Sequence, residues 1–293
     1  MNNSAADSDA QSYTKNDVVP YWPASLAIEF SLRPEKTVPS KIKHFGPLRV
    51  QRPFYPETDG CCHLYLLHPP GGVAGGDVLN ISVRVNEKSK SLITTPGATK
   101  IYRSNSSSEI HQSIFLTNEA VLEWMPQETI LFNKAQTKIK TEINMVSDSH
   151  LFFWDVLCLG LPANNVKFSE GNCWQSLKVS RDNQFVLIEN NEFEGGSELM
   201  SARWGMREYY INAIALMTAS DFSLVEKIRS KVADQENSQE GYLFAVTLKQ
   251  GLVICRYMGN SVDEAKGLFK AAWSVWRDFE LGKSVVFPRI WGT

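Results

Sequence analysis

The 293-residue chain has few cysteines, little net charge and no long apolar run. Its five cysteines (Cys61, Cys62, Cys158, Cys173, Cys255) are odd in number, two are adjacent, and none forms a C-x-x-C pair. That excludes a disulfide framework and the usual spacing of a structural zinc site, and it fits a reducing cytoplasm. Lys and Arg number 30 against 32 Asp and Glu, a formal net charge of −2. A general nucleic-acid binder would carry a basic stripe to displace counterions, so that class is set aside. The most apolar run, Leu151 to Pro162, is interrupted by Asp155 and is too short to cross a bilayer. Met1 to Val19 lacks both the basic start and the apolar stretch of a signal peptide. Residues 1–19 read instead as a disordered tail, and residues 20–293, rich in aromatics, as a single folded domain.

Within that domain most periodic segments alternate with period two. Val78 to Asn86 puts Leu79, Ile81, Val83 and Val85 on one face and Asn80, Ser82, Arg84 and Asn86 on the other. Lys138 to Met145 repeats the pattern, and each reads as a half-buried strand. Further strands are expected at 62–67, 92–95, 110–116, 121–124, 129–132, 177–180, 185–189, 242–248 and 252–257. Leu151 to Leu159 is nearly continuously apolar, as a strand covered on both faces would be. The spacing predicts a mainly β fold, a many-stranded sandwich, barrel or β-helical stack, although no fixed-period repeat singles out a solenoid. Two helices interrupt it in the C-terminal portion, about residues 220–282. Ser261 with Glu264 makes a capping box that opens one, closed at Gly282; Ser223 with Glu226 opens the other, which should stop before the polar loop Ala233 to Gly241. Trp273 and Trp276 on the longer helix are expected on opposite sides, leaving one free as a surface anchor.

No catalytic motif stands out. The Gly-rich segment Leu67 to Asp77 lacks the Lys and the spacing of a phosphate-binding loop, and a strand rather than a helix follows it. Cys61, Cys62, His63 and His68 carry soft metal-binding chemistry, but His63 and His68, five apart on a strand, point to opposite faces. The informative residues are carboxylates in apolar settings: Asp155 within Phe152-Phe-Trp-Asp-Val-Leu-Cys158, and Glu128 within Trp124-Met-Pro-Gln-Glu-Thr-Ile130. A buried carboxylate is costly unless it is hydrogen-bonded, paired or facing a polar cavity. Each is therefore either one satisfied structural acid or part of an internal polar passage.

Several segments resemble a known family, in order from about residue 24 to the end of the chain. Leu48-Arg-Val-Gln-Arg-Pro-Phe54, His68-Pro-Pro-Gly-Gly-Val-Ala-Gly-Gly-Asp77 and Thr94-Thr-Pro-Gly-Ala-Thr-Lys-Ile-Tyr-Arg-Ser104 are similar to the urease accessory protein family UreD, also called UreH. So are Pro126-Gln-Glu-Thr-Ile-Leu-Phe132, Trp154-Asp-Val-Leu-Cys-Leu-Gly160 and Pro288-Arg-Ile-Trp291. The resemblance implies a non-enzymatic maturation factor of largely β fold with two helices. It implies partners UreF, the GTPase UreG and apo-urease, and an internal tunnel through which nickel passes. On that reading Glu128 and Asp155, with Asp77, Glu29 and His68, are candidate passage residues. Nickel contact would be transient, with no tight metal site and no bound cofactor. Where members often show Asp-Gly-Ala, this chain has Asn133-Lys-Ala135, so no acidic role is carried onto Asn133.

Two other classes make different demands. A β-sandwich hydrolase using Asp155 or Glu128 with His68 needs acid and base convergent in one pocket. A binding module for an ordinary ligand needs one closed apolar pocket, whereas a conduit should open at two surfaces.

Overall fold

The computed structural model describes residues 22–233 and 241–292; the expected tail at 1–19 lies outside the described residues. The chain begins with β1 (Pro23–Leu32), β2 (Thr37–Phe45), β3 (Arg49–Val50), β4 (Cys62–Leu67), β5 (Val78–Val85) and β6 (Lys90–Thr94). There follow β7 (Thr99–Ile101), β8 (Ser108–Leu116), β9 (Val121–Trp124), β10 (Thr129–Leu131), β11 (Gln136–Met145) and β12 (His150–Leu161). Next come β13 (Val166–Lys167), β14 (Asn172–Arg181), β15 (Gln184–Glu194), helix α1 (Glu198–Ser201) and β16 (Ile211–Thr218). The last of these elements are α2 (Ser223–Ala233), β17 (Leu243–Lys249), β18 (Leu252–Gly259) and α3 (Val262–Leu281).

The strands wind as coils. β1, β5, β8, β11 and β14 lie parallel in one sheet, and β4, β6, β9 and β12 lie parallel in a second. β7 and β10 add a narrow side against the later half of β12. Val78 lies beside Glu109, Ser108 beside Thr137 and Gln136 beside Asn172, so successive coils advance by 31, 29 and 36 residues. Unequal coils explain why no fixed repeat shows in the sequence. Antiparallel strands complete the fold: β2 and β15 border the first sheet, and β16, β18 and β17 widen the second. The mainly β expectation holds, as a β-helical stack with antiparallel extensions.

Alternation decides which residues meet. Leu26, Ile28, Val83, Ile114 and Ile143 face Leu64, Ile93, Leu122 and Phe153 between the two sheets. The opposite face of the second sheet, including Phe152, Trp154, Met217 and Cys255, is covered by α2 and α3. β12 is thus buried on both faces, as its apolar run requires.

The Ser261 side chain accepts from the Glu264 amide at 3.1 Å, and Gly282 closes α3 in the left-handed region at φ 62°. α2 starts at Ser223, near the expected place, but the Ser223 amide donates to Asp221 Oδ1 at 2.6 Å, so Asp221 supplies the cap in place of the expected Ser223–Glu226 box. Two further corrections concern helices. A third, short one, α1, precedes β16. And Trp273 and Trp276 are both fully buried, because residues three apart on a helix share a face. Neither is a surface anchor. No helix among the described residues is long and apolar enough to cross a membrane.

Candidate functional site

The two most motif-like segments of the sequence pack on each other. The Val73 amide donates to the Lys100 carbonyl at 2.7 Å, and the Tyr102 amide to the Val73 carbonyl at 2.9 Å. A Cβ at Gly75 would stand 1.9 Å from Ser104 Oγ, so only glycine allows this approach. Asp77 Oδ2 accepts from the Ala74 amide at 2.8 Å and closes the turn into β5. The Gly-rich segment is a packed strand connection.

His68 lies one residue beyond β4, where this connection begins, and it faces inward. Between the sheets is a cavity of about 70 Å³, with room for several water molecules. Its polar lining is His68, Thr95, Thr99, Gln112, Gln127, Thr129 and Asp155; the rest is apolar, including Leu79, Ile110 and Phe153. Leu66, His68, Thr95 and Thr99 also line a second space of about 310 Å³, bounded by Gly71, Gly72, Pro96 and Gly97 of the two packed loops. His68 therefore stands where an outer pocket meets the inner cavity.

Asp155 is enclosed on all sides yet keeps accessible surface, because its side chain faces that cavity. Gln175 Nε2, from β14 of the facing sheet, donates to Asp155 Oδ2 at 2.9 Å. Asn191 Nδ2 of β15 donates in turn to Gln175 Oε1 at 3.4 Å. Burial raises the Asp155 pKa to about 6, against the pull of Gln175 and the Val156 amide. Burial also lowers the pKa of His68, although Asp77 opposes it. At neutral pH the cavity thus presents a carboxylate and a neutral imidazole.

The other three candidates are placed elsewhere. Glu128 lies between the cavity residues Gln127 and Thr129, but its carboxylate is ion-paired with Lys266 of α3, which also donates to Gln127. Asp77 is tied into its turn. Glu29 is on the outer face of β1, paired with Lys41 of the edge strand β2 at 2.7 Å. So the fold brings His68 and Asp155 to one cavity, sets Glu128 at its helix-side border, and leaves Asp77 and Glu29 apart from it. Asn133, at the position of the missing acid, accepts from the Ser169 and Glu170 amides, both at 2.9 Å.

Sequence reasoning missed a second polar centre, beneath α3. Arg277 donates to Glu123 from Nε at 2.8 Å and from Nη2 at 2.6 Å, and to both oxygens of Glu57 at 2.8 and 3.0 Å. Trp273 Nε1 also donates to Glu123, and His63 Nε2 lies 2.7 Å from Glu57 Oε1. Glu57 falls to a pKa of about 2: burial alone would raise it, but hydrogen bonds from His63 and Arg277 outweigh that. Glu57, Cys61 and His63 offer ligand atoms within 4.8 Å of one another. Arg277 already occupies the Glu57 carboxylate, however, and burial pushes the Cys61 thiol well above its ordinary range. This is an ion-pair cluster that fastens α3 to the second sheet. Glu123, an acid inside the strand Val121-Leu-Glu-Trp124, carried the same signal in the sequence as Asp155.

His68 and Asp155 share the cavity, but among the described residues no hydrogen bond joins the His68 side chain to either acid: Asp155 is bonded to Gln175 and Glu128 is paired with Lys266. The model of the UreD urease accessory protein family matches residues 23–292. The chain belongs to the UreD family. Urease accessory protein UreD of Saccharophagus degradans is 38% identical over 278 residues, covering 93% of each chain. That of Alcanivorax borkumensis is 38% identical over 277 residues, covering 93% of this chain and 92% of its own. That of an Enterobacter species is 39% identical over 273 residues, covering 93% and 96%. UreD membership gives the chain a role in urease maturation, as an accessory factor and not an enzyme.

Proposed function

We propose that this UreD-family chain is the scaffold that binds UreF and the GTPase UreG and passes nickel to apo-urease through the cavity between its sheets. The observation that carries the reading is the position of His68 and Asp155. One stands where the outer pocket meets the inner cavity, and the other lines the same inner cavity, hydrogen-bonded to Gln175. A carboxylate, an imidazole and a few amide and hydroxyl oxygens suit a borderline divalent cation. Two such side chains without a closed ligand set hold it weakly, as a conduit must. A tight site would retain the ion it has to release, so no resident cofactor is expected and nickel is cargo.

The test is urease produced together with its other accessory proteins, with and without this chain. The reading expects urease to be nickel-loaded and active only when the chain is present. Equal nickel content in both preparations would refute it.

A further inference from the structure

One row of inward-facing residues crosses the first sheet from coil to coil. Ala24 lies beside Leu79, Leu79 beside Ile110, Ile110 beside Ile139, Ile139 beside Gln175 and Gln175 beside Asn191. Ala24, Leu79, Ile110 and Ile139 are buried, and the last three line the inner cavity. At β14 the row changes from aliphatic to amide, and β14 is the coil whose side chain meets Asp155 from across the core. An aliphatic residue there would simply continue the packing. Gln175, 8% exposed, instead donates from Nε2 to Asp155 Oδ2 at 2.9 Å. Replacing both members of such a buried pair by apolar groups of the same shape is nearly neutral or even stabilising, so folding alone does not call for it.

The direction of the bonds carries the argument further. A glutamine amide presents either its NH2 or its oxygen, whereas an ionised carboxylate only accepts. Asn191 Nδ2 donates to Gln175 Oε1 at 3.4 Å, which occupies the oxygen and turns the NH2 toward Asp155. The donors therefore run one way, from Asn191 on the edge strand β15, through Gln175, to the carboxylate at the cavity. Gln175 is not among the residues that line the cavity, so it acts on an ion there only through Asp155. Groups that hold a metal-binding side chain in this way fix its orientation, and their loss costs about tenfold or more in affinity.

We propose that Gln175 is a positioning residue for the passage of nickel: it holds Oδ2 of Asp155 so that the carboxylate meets the cation in one orientation, and Asn191 fixes Gln175 in turn. The proposal rests on the conduit reading above. The purified full-length chain would be titrated with nickel chloride by equilibrium dialysis, with Asp155→Asn defining the binding that does not involve the cavity. Gln175→Leu, which continues the aliphatic row, is expected to lower the Asp155-dependent nickel affinity about tenfold in a chain that stays folded by circular dichroism. Asn191→Leu removes only the group behind Gln175 and should lower the affinity in the same direction by a smaller factor. Wild-type affinity in folded Gln175→Leu would overturn the positioning role and leave the conduit reading standing, since Asp155→Asn would still bind less than wild type. Should Gln175→Leu not fold, Asn191→Leu decides, and wild-type affinity in that variant overturns the proposal. If wild type and Asp155→Asn bind nickel equally, the conduit reading itself has failed and the role of Gln175 falls with it.

Discussion

Glu123 and Asp155 are carboxylates on the neighbouring strands β9 and β12 of one sheet, and the fold treats them in opposite ways. Glu123 points toward α3 and meets Arg277 and Trp273, so its charge is fully compensated. Asp155 points between the sheets, takes one hydrogen bond from a neutral amide, and borders a cavity. The first arrangement is what a fold does with a buried acid that must hold two layers together. The second leaves part of the charge unspent, which costs stability and makes sense where a cation is to pass. Alternation along the two strands sorts the acids onto opposite faces of the sheet.

Breaking the compensated side should have the largest effect. Arg277→Ala strands two buried carboxylates and is expected to destabilise the fold by about 3–5 kcal/mol, visible as a large drop in the thermal midpoint. A midpoint within a degree of wild type would show that the cluster is not needed to fasten α3.

The cavity side should respond with the opposite sign. Asp155 has a raised folded pKa, about 6, so its contribution is favourable below the unfolded value and is lost as pH rises through 6. Asp155→Asn, which can still accept from Gln175, should therefore be more stable than wild type at pH 7.5 by about 1–3 kcal/mol. The difference should vanish below about pH 4. Urea unfolding at the two pH values checks this, and equal stability at pH 7.5 would mean that Asp155 is compensated after all. Glu57 runs the other way. Held at about 2, its contribution is present above its unfolded pKa and is lost as pH falls toward 2. Acid titration of wild type should accordingly release α3 packing, followed by tryptophan fluorescence, before the β-helical stack unfolds.

The smallest effects belong to the candidates outside both centres. Glu29→Ala loses only an exposed ion pair with Lys41, and neither stability nor nickel loading of urease should move measurably. A clear loss of nickel loading in that variant would bring the outer face of β1 into the path.

Much of this comparison could be read from the sequence. The capping box at Ser261 marks the start of α3, Ser223 lies at the start of α2 although Asp221 caps it, and the acid inside an apolar run points to Asp155. β1 also has a readable pattern, with Ala24, Leu26, Ile28 and Phe30 on its buried face. β16 was hidden for a physical reason: Ile211 to Thr218 is nearly all apolar because both its faces are covered, so alternation disappears. β2 was hidden for the reverse reason, since its later half is exposed on both faces. The partners of the two acids were out of reach. Gln175 meets Asp155 from the facing sheet, and Arg277 lies 154 positions from Glu123. The packing of the two sheets on each other makes the first contact, and the packing of α3 on the second sheet makes the other.

The central claim is that the His68–Asp155 cavity carries nickel to urease. Its most direct test is the nickel content of urease matured with a His68→Ala/Asp155→Asn variant that folds as wild type does and still binds its partners. The account predicts urease depleted of nickel severalfold, with Glu29→Ala as a fully loaded control. Full nickel occupancy with the folded double variant would contradict it.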